Sequence, residues 1–405
     1  MRWSRRKHPS AAQDIARPGK LPPLIWVILV FTIIALLGNL SIAGKNITGW
    51  AWVIPMIFAA MIFSSGLARS KFPLLLWMPW ISYVIWYLFN SEIFALQRSV
   101  QLLCPILIGM ASSQLRLDGP TLDKLLGYIR KMTYWVWGIV LLKTGVLITG
   151  ALPQVTGLAA EVMTVILLCT LLAASYSSGN SRDIHWWAAL SVIPVIAVTR
   201  TAIAVAGMTL PLTFGPMKIH RRLMILLLIA VVGIGLFYTP RLQGKMFYKG
   251  TGEFSDVLDK DFRDGARFYM WERFEDRIRE NPWFGYGAGS GEAYARLITN
   301  GTSGYPHNDW LLTLYDYGVT GTVIYAATLA MAAWHAYRRA KKVTGVARIF
   351  LLAGASAFLP FALMMFTDNI MVYVSYFGNL HFMMLGLGYG AHGRQKTMQQ
   401  VQKRR

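Results

Sequence analysis

Three residues of this sequence could together do chemistry at a phosphate: Arg200, Arg267 and His307. Arginine stays charged and presents a planar fork of donors, so it suits a phosphate or diphosphate better than lysine does. Two guanidiniums can neutralise a departing anion where other enzymes use a metal. An imidazole, with an unperturbed pKa of about 6.5, can take a proton from a hydroxyl near neutral pH. These residue types predict displacement from a phosphate by an activated hydroxyl.

The local sequence around each residue leaves alternatives open. Arg200 lies in VTRTAIAVAG (198–207), between two short apolar segments, where it could equally anchor the chain at a membrane interface. His307 lies in GYPHNDWLLTLYDYGVTG (304–321), where a polar stretch gives way to an apolar run. A single histidine at such a position is more often packed than reactive. The presence of both arginines and their flanking motifs favours the catalytic interpretation.

The composition indicates that a membrane positions these residues. Hydrophobic residues make up 55% of the 405 residues and charged residues only 15%, which is typical of a membrane protein. Apolar segments near the length of about 20 residues that crosses a bilayer recur along the chain. We therefore expect an all-α polytopic membrane protein with about twelve transmembrane helices. The predicted spans are 24–43, 47–68, 72–90, 99–114, 132–149, 155–175, 185–199, 201–214, 223–238, 310–333, 349–366 and 376–390.

The net charge of +21 is interpreted as a topology signal. Most of the 40 lysine and arginine residues fall on the side of the predicted N-terminus, whereas the short connections on the other side hold only Lys45 and Arg98. The positive-inside rule then puts both termini in the cytoplasm. The predicted units are a cytoplasmic tail (1–23), spans 1–9 (24–238), an extracytoplasmic loop domain between spans 9 and 10 (239–309), spans 10–12 (310–390) and a second tail (391–405). Residues 1–20 and 394–405 are expected to be disordered.

The long loop carries most of the polar chemistry. Within it, RFYMWERFEDRIRENPWFG (267–285) has Trp271, Phe274 and Ile278 at helical spacing, which predicts an amphipathic helix along the membrane surface. The alternative is that this helix only packs over the mouth of the bundle. The following GYGAGSGEAY (285–294) has some likeness to a dinucleotide fingerprint, but no βαβ pattern surrounds it. The D-x-D form of Asp259-Lys260-Asp261 is better interpreted as a solvated surface than as a metal site.

Charges inside predicted spans are costly, so each is a candidate partner or functional group. Lys143 and Glu161 lie on adjacent predicted spans and are expected to form a structural ion pair. Asp316 lies too far along its helix to reach His307 directly, and His381 is expected to be packed. Asp368, with Asn369, is predicted at the outer mouth between spans 11 and 12, where it could bind a substrate. The two cysteines, Cys104 and Cys169, indicate neither a disulfide nor a metal cluster.

Four pieces in order carry a family resemblance: TRT (199–201), DGARFYMW (264–271), ENPWFGYGAGS (280–290) and HNDWLLTLYDYGVTG (307–321). This series resembles the O-antigen ligase and O-antigen polymerase superfamily of polytopic membrane glycosyltransferases. The resemblance spans roughly residues 195–325. It implies a GT-C-type fold, transfer on the periplasmic face of the bacterial inner membrane, and no metal or other cofactor.

The resemblance also implies roles for individual residues. Arg200 and Arg267 would hold the diphosphate of an undecaprenyl-diphosphate-linked glycan, and His307 would be the base. Asn308 matches the motif and is expected to bind substrate, whereas little weight falls on Asp309. The acceptor would be lipid A-core in a ligase or a growing glycan in a polymerase, and related enzymes glycosylate protein hydroxyls. Total length and the single large loop favour a ligase.

Two other function classes fit less well. The basic loops lack interleaved aromatic residues and any reader motif, which argues against a nucleic-acid partner. Twelve spans with intramembrane charges could belong to a transporter of lipid-linked glycans. Transporters often contain paired internal repeats with broken helices, and the two halves of this sequence show no such pair.

Overall fold

The computed structural model describes residues 19–38, 41–42, 45–46, 50–64, 70–88, 95–149, 158–258, 262 and 267–404. The described chain is almost entirely helical, with one two-residue antiparallel ladder between Ser41–Ile42 and Lys45–Asn46. Its helices are α1 Pro23–Leu36, α2 Val53–Ser64, α3 Leu74–Leu88, α4 Ala95–Gln114, α5 Gly119–Thr149, α6 Ala159–Ser177, α7 Asp183–Ile196, α8 Arg200–Met208, α9 Ile219–Phe237, α10 Pro240–Met246, α11 Arg267–Glu280, α12 Ser290–Ile298, α13 Asp309–Ala340, α14 Gly345–Met364 and α15 Asn379–Arg404.

Close backbone approach holds the centre of the bundle together. Helix α14 packs against α6, α13 and α15, and α15 packs against α4. A Cβ atom on Gly386 would lie 2.3 Å from the carbonyl oxygen of Gly109, and one on Gly354 would lie 2.4 Å from Leu385. Small residues at these crossings let helices meet at short range, where dispersion forces and weak polar contacts replace the hydrophobic drive that lipid cannot supply.

Within the described part of the chain, two helices are long and apolar enough to cross a membrane. Helix α14 is mostly buried in the bundle, whereas the apolar window of α9 has none of its residues buried. Five shorter helices are also apolar: α1, α2, α3, α7 and the part of α6 from Glu161 to Ser177. These helices fit insertion into a membrane. The count of twelve spans and the placement of the loop relative to the bilayer stay predictions.

Helix α13 differs from the predicted span 310–333. Gly318 has φ 65° and ψ −174°, which interrupts the helical backbone and separates residues 309–317 from residues 319–340. The second piece has 22 residues and is about 33 Å long at 1.5 Å per residue, enough to cross a hydrocarbon core by itself. The first piece therefore belongs to the end of the bundle that carries the polar loop 239–309.

Other predictions can be compared with the structure directly. The ion pair is confirmed, because Lys143 Nζ lies 2.6 Å from Glu161 Oε1 and both side chains are buried. His381 is packed as expected, and its Nε2 lies 2.7 Å from the carbonyl oxygen of Gly354. The expectation of disorder over 394–405 is wrong for residues 394–404, since α15 continues to Arg404. Residues 1–18 lie outside the described residues, as do Asp259-Lys260-Asp261.

Candidate active site

Helix α11 forms as predicted, but protein covers its apolar face. Met270, Phe274 and Ile278 are buried and pack against the first turns of α13 at Leu311, Leu312 and Tyr315. This packing agrees with the alternative that α11 covers the mouth of the bundle, and its position relative to the membrane surface stays a prediction. Trp271 Nε1 donates a 2.7 Å hydrogen bond to the carbonyl oxygen of Pro306. Helix α11 is thus fastened to the chain immediately before His307.

The glycine-rich loop is held by Asp316. The two carboxylate oxygens accept hydrogen bonds from the amides of Gly289 and Gly291 at 3.0 and 2.7 Å, and from Ser290 Oγ at 3.2 Å. Asp316 is buried, and three donors compensate the loss of water around its charge. Its role is to dock the loop that leads into α12, and the loop binds protein where a dinucleotide fingerprint would bind pyrophosphate.

Two glycines let this loop lie directly against α13. Gly285 and Gly318 have φ angles of 69° and 65°, which L-residues with a side chain rarely adopt. A Cβ atom on Gly285 would lie 2.5 Å from the carbonyl oxygen of Tyr315, and one on Gly318 would lie 2.4 Å from that of Trp283. The motif pieces ENPWFGYGAGS and LYDYGVTG are therefore two sides of one backbone contact, which fixes where α13 begins relative to α11.

His307 lies on this docked segment, directly before α13. Its φ of 51° is unusual for a residue with a side chain. Nδ1 lies 3.2 Å from Asn369 Nδ2 and 3.9 Å from Asp368 Oδ1, and 42% of the imidazole surface stays exposed. The predicted base and the predicted substrate-binding Asp368 are thus neighbours.

The turn that carries Asp368 and Asn369 also receives Arg267. The first residue of α11 donates from Nη1 to the carbonyl oxygen of Thr367 at 3.0 Å. Arg267 and His307, which are 40 positions apart in the sequence, therefore converge on the same three-residue turn, 367–369. We refer to residues 367–369 as the convergence turn.

Asp309 holds the convergence turn through its backbone amide and its side chain. Its backbone amide donates to the carbonyl oxygen of Met365 at 2.7 Å, and its Oδ2 accepts from the amide of Met371 at 2.6 Å. The side chain is fully buried, and this burial raises the pKa of the Asp309 carboxyl to about 7. The neighbouring Asn308 caps α13, because its Oδ1 accepts from the amide of Leu311 at 3.0 Å. Substrate binding by Asn308 stays a prediction.

Arg200 lies at the start of α8, beside Phe262. It is the first residue of α8, and its guanidinium carbon lies 4.7 Å from the centre of the Phe262 ring. Phe262 forms a β-bridge with Phe247, the residue that follows α10. A cation over an aromatic face is attracted by the ring quadrupole, which restricts the orientation of the guanidinium.

Both arginines act electrostatically on Lys245, which lies near the end of α10. Partial burial lowers the pKa of the Lys245 ammonium, and the positive charges of Arg200, Arg267 and Arg241 lower it further. Arg200 and Arg267 are therefore both close enough to act on the same amine. We call Arg200, Arg241, Lys245 and Arg267 the cationic cluster. The sequence analysis singled out neither Arg241 nor Lys245, since no spacing rule joins α10 to α8 and α11.

Arg98 is a second residue whose importance the sequence did not reveal. It is buried at the start of α4, its Nη2 lies 3.7 Å from Glu292 Oε2, and its guanidinium carbon lies 5.0 Å from the centre of the Tyr305 ring. Arg98 thereby ties α12 and the segment before His307 to the bundle. The sequence did contain one indication of this role. Arg98 is one of only two basic residues in the predicted short outer connections, and an arginine at the end of an apolar helix is expected either to anchor the helix or to pair with an acidic residue.

The comparisons with known proteins agree with the motif analysis. No curated protein matches the chain. A protein-family model described as O-antigen ligase matches residues 185–326, a segment that contains Arg200, Arg267 and His307. This match confirms the resemblance carried by the four motif pieces. All four motif pieces lie within residues 185–326.

Proposed function

We propose that the protein is an O-antigen ligase-type glycosyltransferase. It transfers a preassembled glycan from undecaprenyl diphosphate to a hydroxyl of lipid A-core, on the periplasmic face of the inner membrane and without a metal. The observation that carries this proposal is the convergence of Arg267 and His307 on one turn. The family match supports the reaction class.

Each group has a distinct task in the proposed reaction. Arg200 and Arg267 hold the diphosphate of the donor and stabilise the charge that develops on it. His307 accepts the proton of the acceptor hydroxyl at Nε2. The hydroxyl oxygen then bonds to the anomeric carbon, and the bond from this carbon to the phosphate oxygen breaks. Attack opposite to the leaving diphosphate inverts the anomeric configuration.

The contacts around Nδ1 decide whether Nε2 can act as a base. An imidazole that accepts a proton at Nε2 must carry its own proton on Nδ1. Asp368 Oδ1, 3.9 Å from Nδ1, favours that tautomer electrostatically. Rotation of the Asn369 amide by 180° would present its oxygen to Nδ1–H, and this oxygen is buried and without a hydrogen bond among the described residues. Asp368 and Asn369 would then hold the ring in its reactive form.

Purified protein in lipid nanodiscs tests the reaction class. We expect transfer of glycan from the lipid-linked donor to lipid A-core, and the activity should persist in excess chelator. A strict requirement for a divalent metal would contradict the two-arginine scheme. Flux of intact donor across vesicles without covalent transfer would instead identify a transporter.

Deletion of the gene, followed by separation of the surface glycans, tests the acceptor. A ligase leaves lipid A-core without any repeat unit, and this is the expected result. Core that carries a single repeat would identify a polymerase. Loss of a secreted polymer with normal lipopolysaccharide would identify exopolysaccharide synthesis.

A further inference from the structure

A polar cavity lies at the end of the bundle opposite the convergence turn. Helix α14 connects the two regions, because it ends at Met364, three residues before that turn, and begins at Gly345, roughly 28 Å away at 1.5 Å per residue. The cavity has a volume of about 380 Å³ and is lined by residues of α5, of the turn between α6 and α7, and of the start of α14. We call it the α14 cavity. It has no lining residue in common with the candidate active site.

Two arginines line the α14 cavity, and they differ in their partners. Arg130 Nη2 lies 2.6 Å from Asp183 Oδ2 and donates to Ser175 Oγ at 3.0 Å, so the charge of Arg130 is compensated within the chain. Arg348 makes no hydrogen bond or ion pair with any described residue, although its Nε is buried. A buried donor without an acceptor is costly. An anion in the cavity would give the guanidinium of Arg348 the partner that the described chain does not supply.

The start of α14 adds backbone donors to the same cavity. An α-helix leaves its first N–H groups without intrahelical acceptors. Thr344, the N-cap residue, makes no capping hydrogen bond with its side chain. The amides of Gly345, Val346 and Ala347 thus have no acceptor within the described part of the chain, although Val346 and Ala347 are buried. Gly345 and Val346 line the cavity, so these donors and the helix dipole favour an anion there.

The surroundings of the α14 cavity are typical of the membrane interface. Trp334 is exposed near the end of α13, and Lys341 Nζ lies 4.3 Å from the centre of the Tyr337 ring. Exposed tryptophan and tyrosine followed by lysine are common at headgroup depth. The positive-inside rule predicts that this end faces the cytoplasm, where anionic lipids make the membrane surface negative. Leu126 and Ile349 add apolar walls that suit the part of a lipid next to its headgroup.

We propose that the α14 cavity is a binding site for a phosphate group, held by the guanidinium of Arg348 and the first amides of α14. A phospholipid headgroup or a soluble phosphate can supply that group, and the interfacial surroundings favour an anionic phospholipid. Asp123 also lines the cavity, but it is exposed, so water weakens its repulsion of an anion. The site is separate from the proposed glycan transfer, and neither proposal depends on the other.

Melting curves of the purified full-length protein in detergent test the site. We expect phosphatidylglycerol to raise the melting temperature more than phosphatidylcholine or inorganic phosphate does. Arg348→Met should weaken the affinity for phosphatidylglycerol at least about tenfold, because it removes a charge-assisted contact to the phosphate. Arg221→Met is the matched control, since Arg221 is exposed near the start of α9 on the same predicted side and carries the same charge. This control should retain the wild-type affinity.

A second variant acts on the amides of α14 and leaves Arg348 in place. Thr344→Asp puts a carboxylate at the N-cap position, where it accepts from the first amides and complements the helix dipole. The variant should therefore melt at a higher temperature than the wild type without lipid. It should also bind phosphatidylglycerol at least about tenfold more weakly, because the carboxylate occupies the donors and repels phosphate. A purely structural role for this helix end would give the first effect without the second.

The remaining outcomes identify the source of the phosphate or overturn the site. A rise with inorganic phosphate that equals the rise with phosphatidylglycerol and depends on Arg348 supports the site and identifies a soluble ligand. Equal affinities of Arg348→Met and Arg221→Met for phosphatidylglycerol, without any response to inorganic phosphate, overturn the proposal. If Arg348→Met does not fold, Thr344→Asp decides, since unchanged binding of both phosphatidylglycerol and phosphate in that variant also overturns it. None of these measurements depends on glycan transfer.

Discussion

Charged residues near the membrane have two different kinds of surroundings in this molecule. Within the bundle, Lys143 and Glu161 face each other at 2.6 Å and both are buried. In the cationic cluster, partial burial and the charges of three arginines lower the pKa of Lys245. The first arrangement is complete within the chain. The second becomes favourable when an anion binds.

This difference separates structural charge from functional charge. Burying an unpaired charge is costly, so charges that serve only the fold are expected to be paired. Arg98 follows the same rule, because it lies beside Glu292 and over Tyr305. In the cationic cluster, beside the convergence turn, the arginine charges that act on Lys245 have the same sign as its own charge. Mutations should therefore affect activity in one region and stability in the other.

The largest effect is expected for His307→Ala. Loss of the base should lower glycan transfer about 100- to 10,000-fold, because general base catalysis contributes that much. Insertion and thermal stability should change little, since the side chain is 42% exposed. Transfer assays in nanodiscs measure the first effect and melting curves measure the second.

A matched histidine serves as the control for this loss. His220 is exposed near the start of α9, far along the chain from the convergence turn. His220→Ala should transfer glycan at the wild-type rate. If His307→Ala retains most of the activity, His307 is not the base, and the proton must go elsewhere.

The second effect concerns the two arginines of the diphosphate site. Arg200→Ala and Arg267→Ala should each lower transfer about 100-fold, because each removes a donor aimed at developing charge. If both bind one diphosphate, the double variant should lose less than the product of the two single losses. Arg279→Ala is the control on α11, since Arg279 is exposed and pairs with Asp276 at 3.1 Å. Fully independent losses would indicate that the arginines do not share a ligand.

The third effect should appear in stability alone. Lys143→Met leaves Glu161 as a buried charge without its partner, which should destabilise the protein by about 3–5 kcal/mol. The double variant Lys143→Met with Glu161→Leu should recover most of that loss, because hydrophobic residues often replace a buried pair at little cost. Unfolding measurements in detergent check both values, and the folded fraction should keep its kcat. A large fall in kcat of folded protein would mean that this pair also serves the reaction.

Much of the helical framework could be predicted because it depends on local sequence. Apolar runs predicted the cores of α3, α4, α6 and α14, and the spacing of Trp271, Phe274 and Ile278 predicted α11. The Lys143–Glu161 pair could be predicted from adjacent spans at the same depth. The kink at Gly318 could not, because a glycine in an apolar run is equally compatible with an unbroken helix, and only its contact with Trp283 explains its conformation.

The assembly of the site depended on contacts between distant parts of the chain. Motif order suggested that Arg200, Arg267 and His307 act together, but the convergence turn lies about 60 residues beyond His307. No periodicity predicts that Asn369 contacts His307 or that Asp309 supports the turn. Lys245 could not be distinguished from other loop lysines, because two of the three arginines that act on it, Arg200 and Arg267, lie on other helices.

The smallest effect tests how the convergence turn is held. Burial raises the pKa of Asp309 from 3.8 to about 7, so between about pH 4 and 7 the folded protein binds a proton that the unfolded chain releases. This contribution to stability is fully present below about pH 4 and is lost as pH rises through 7. Asp309→Asn keeps an acceptor for the amide of Met371 and cannot ionise. Relative to the wild type, the variant should therefore gain roughly 2 kcal/mol of unfolding free energy between about pH 5 and 7.

Arg98 offsets part of this trend by favouring the ionised form, whereas Asp368 and Asp316 reinforce it. Parallel pH profiles for the two proteins would mean that Asp309 is already ionised at acid pH, and that Arg98 compensates its charge as Lys143 compensates Glu161.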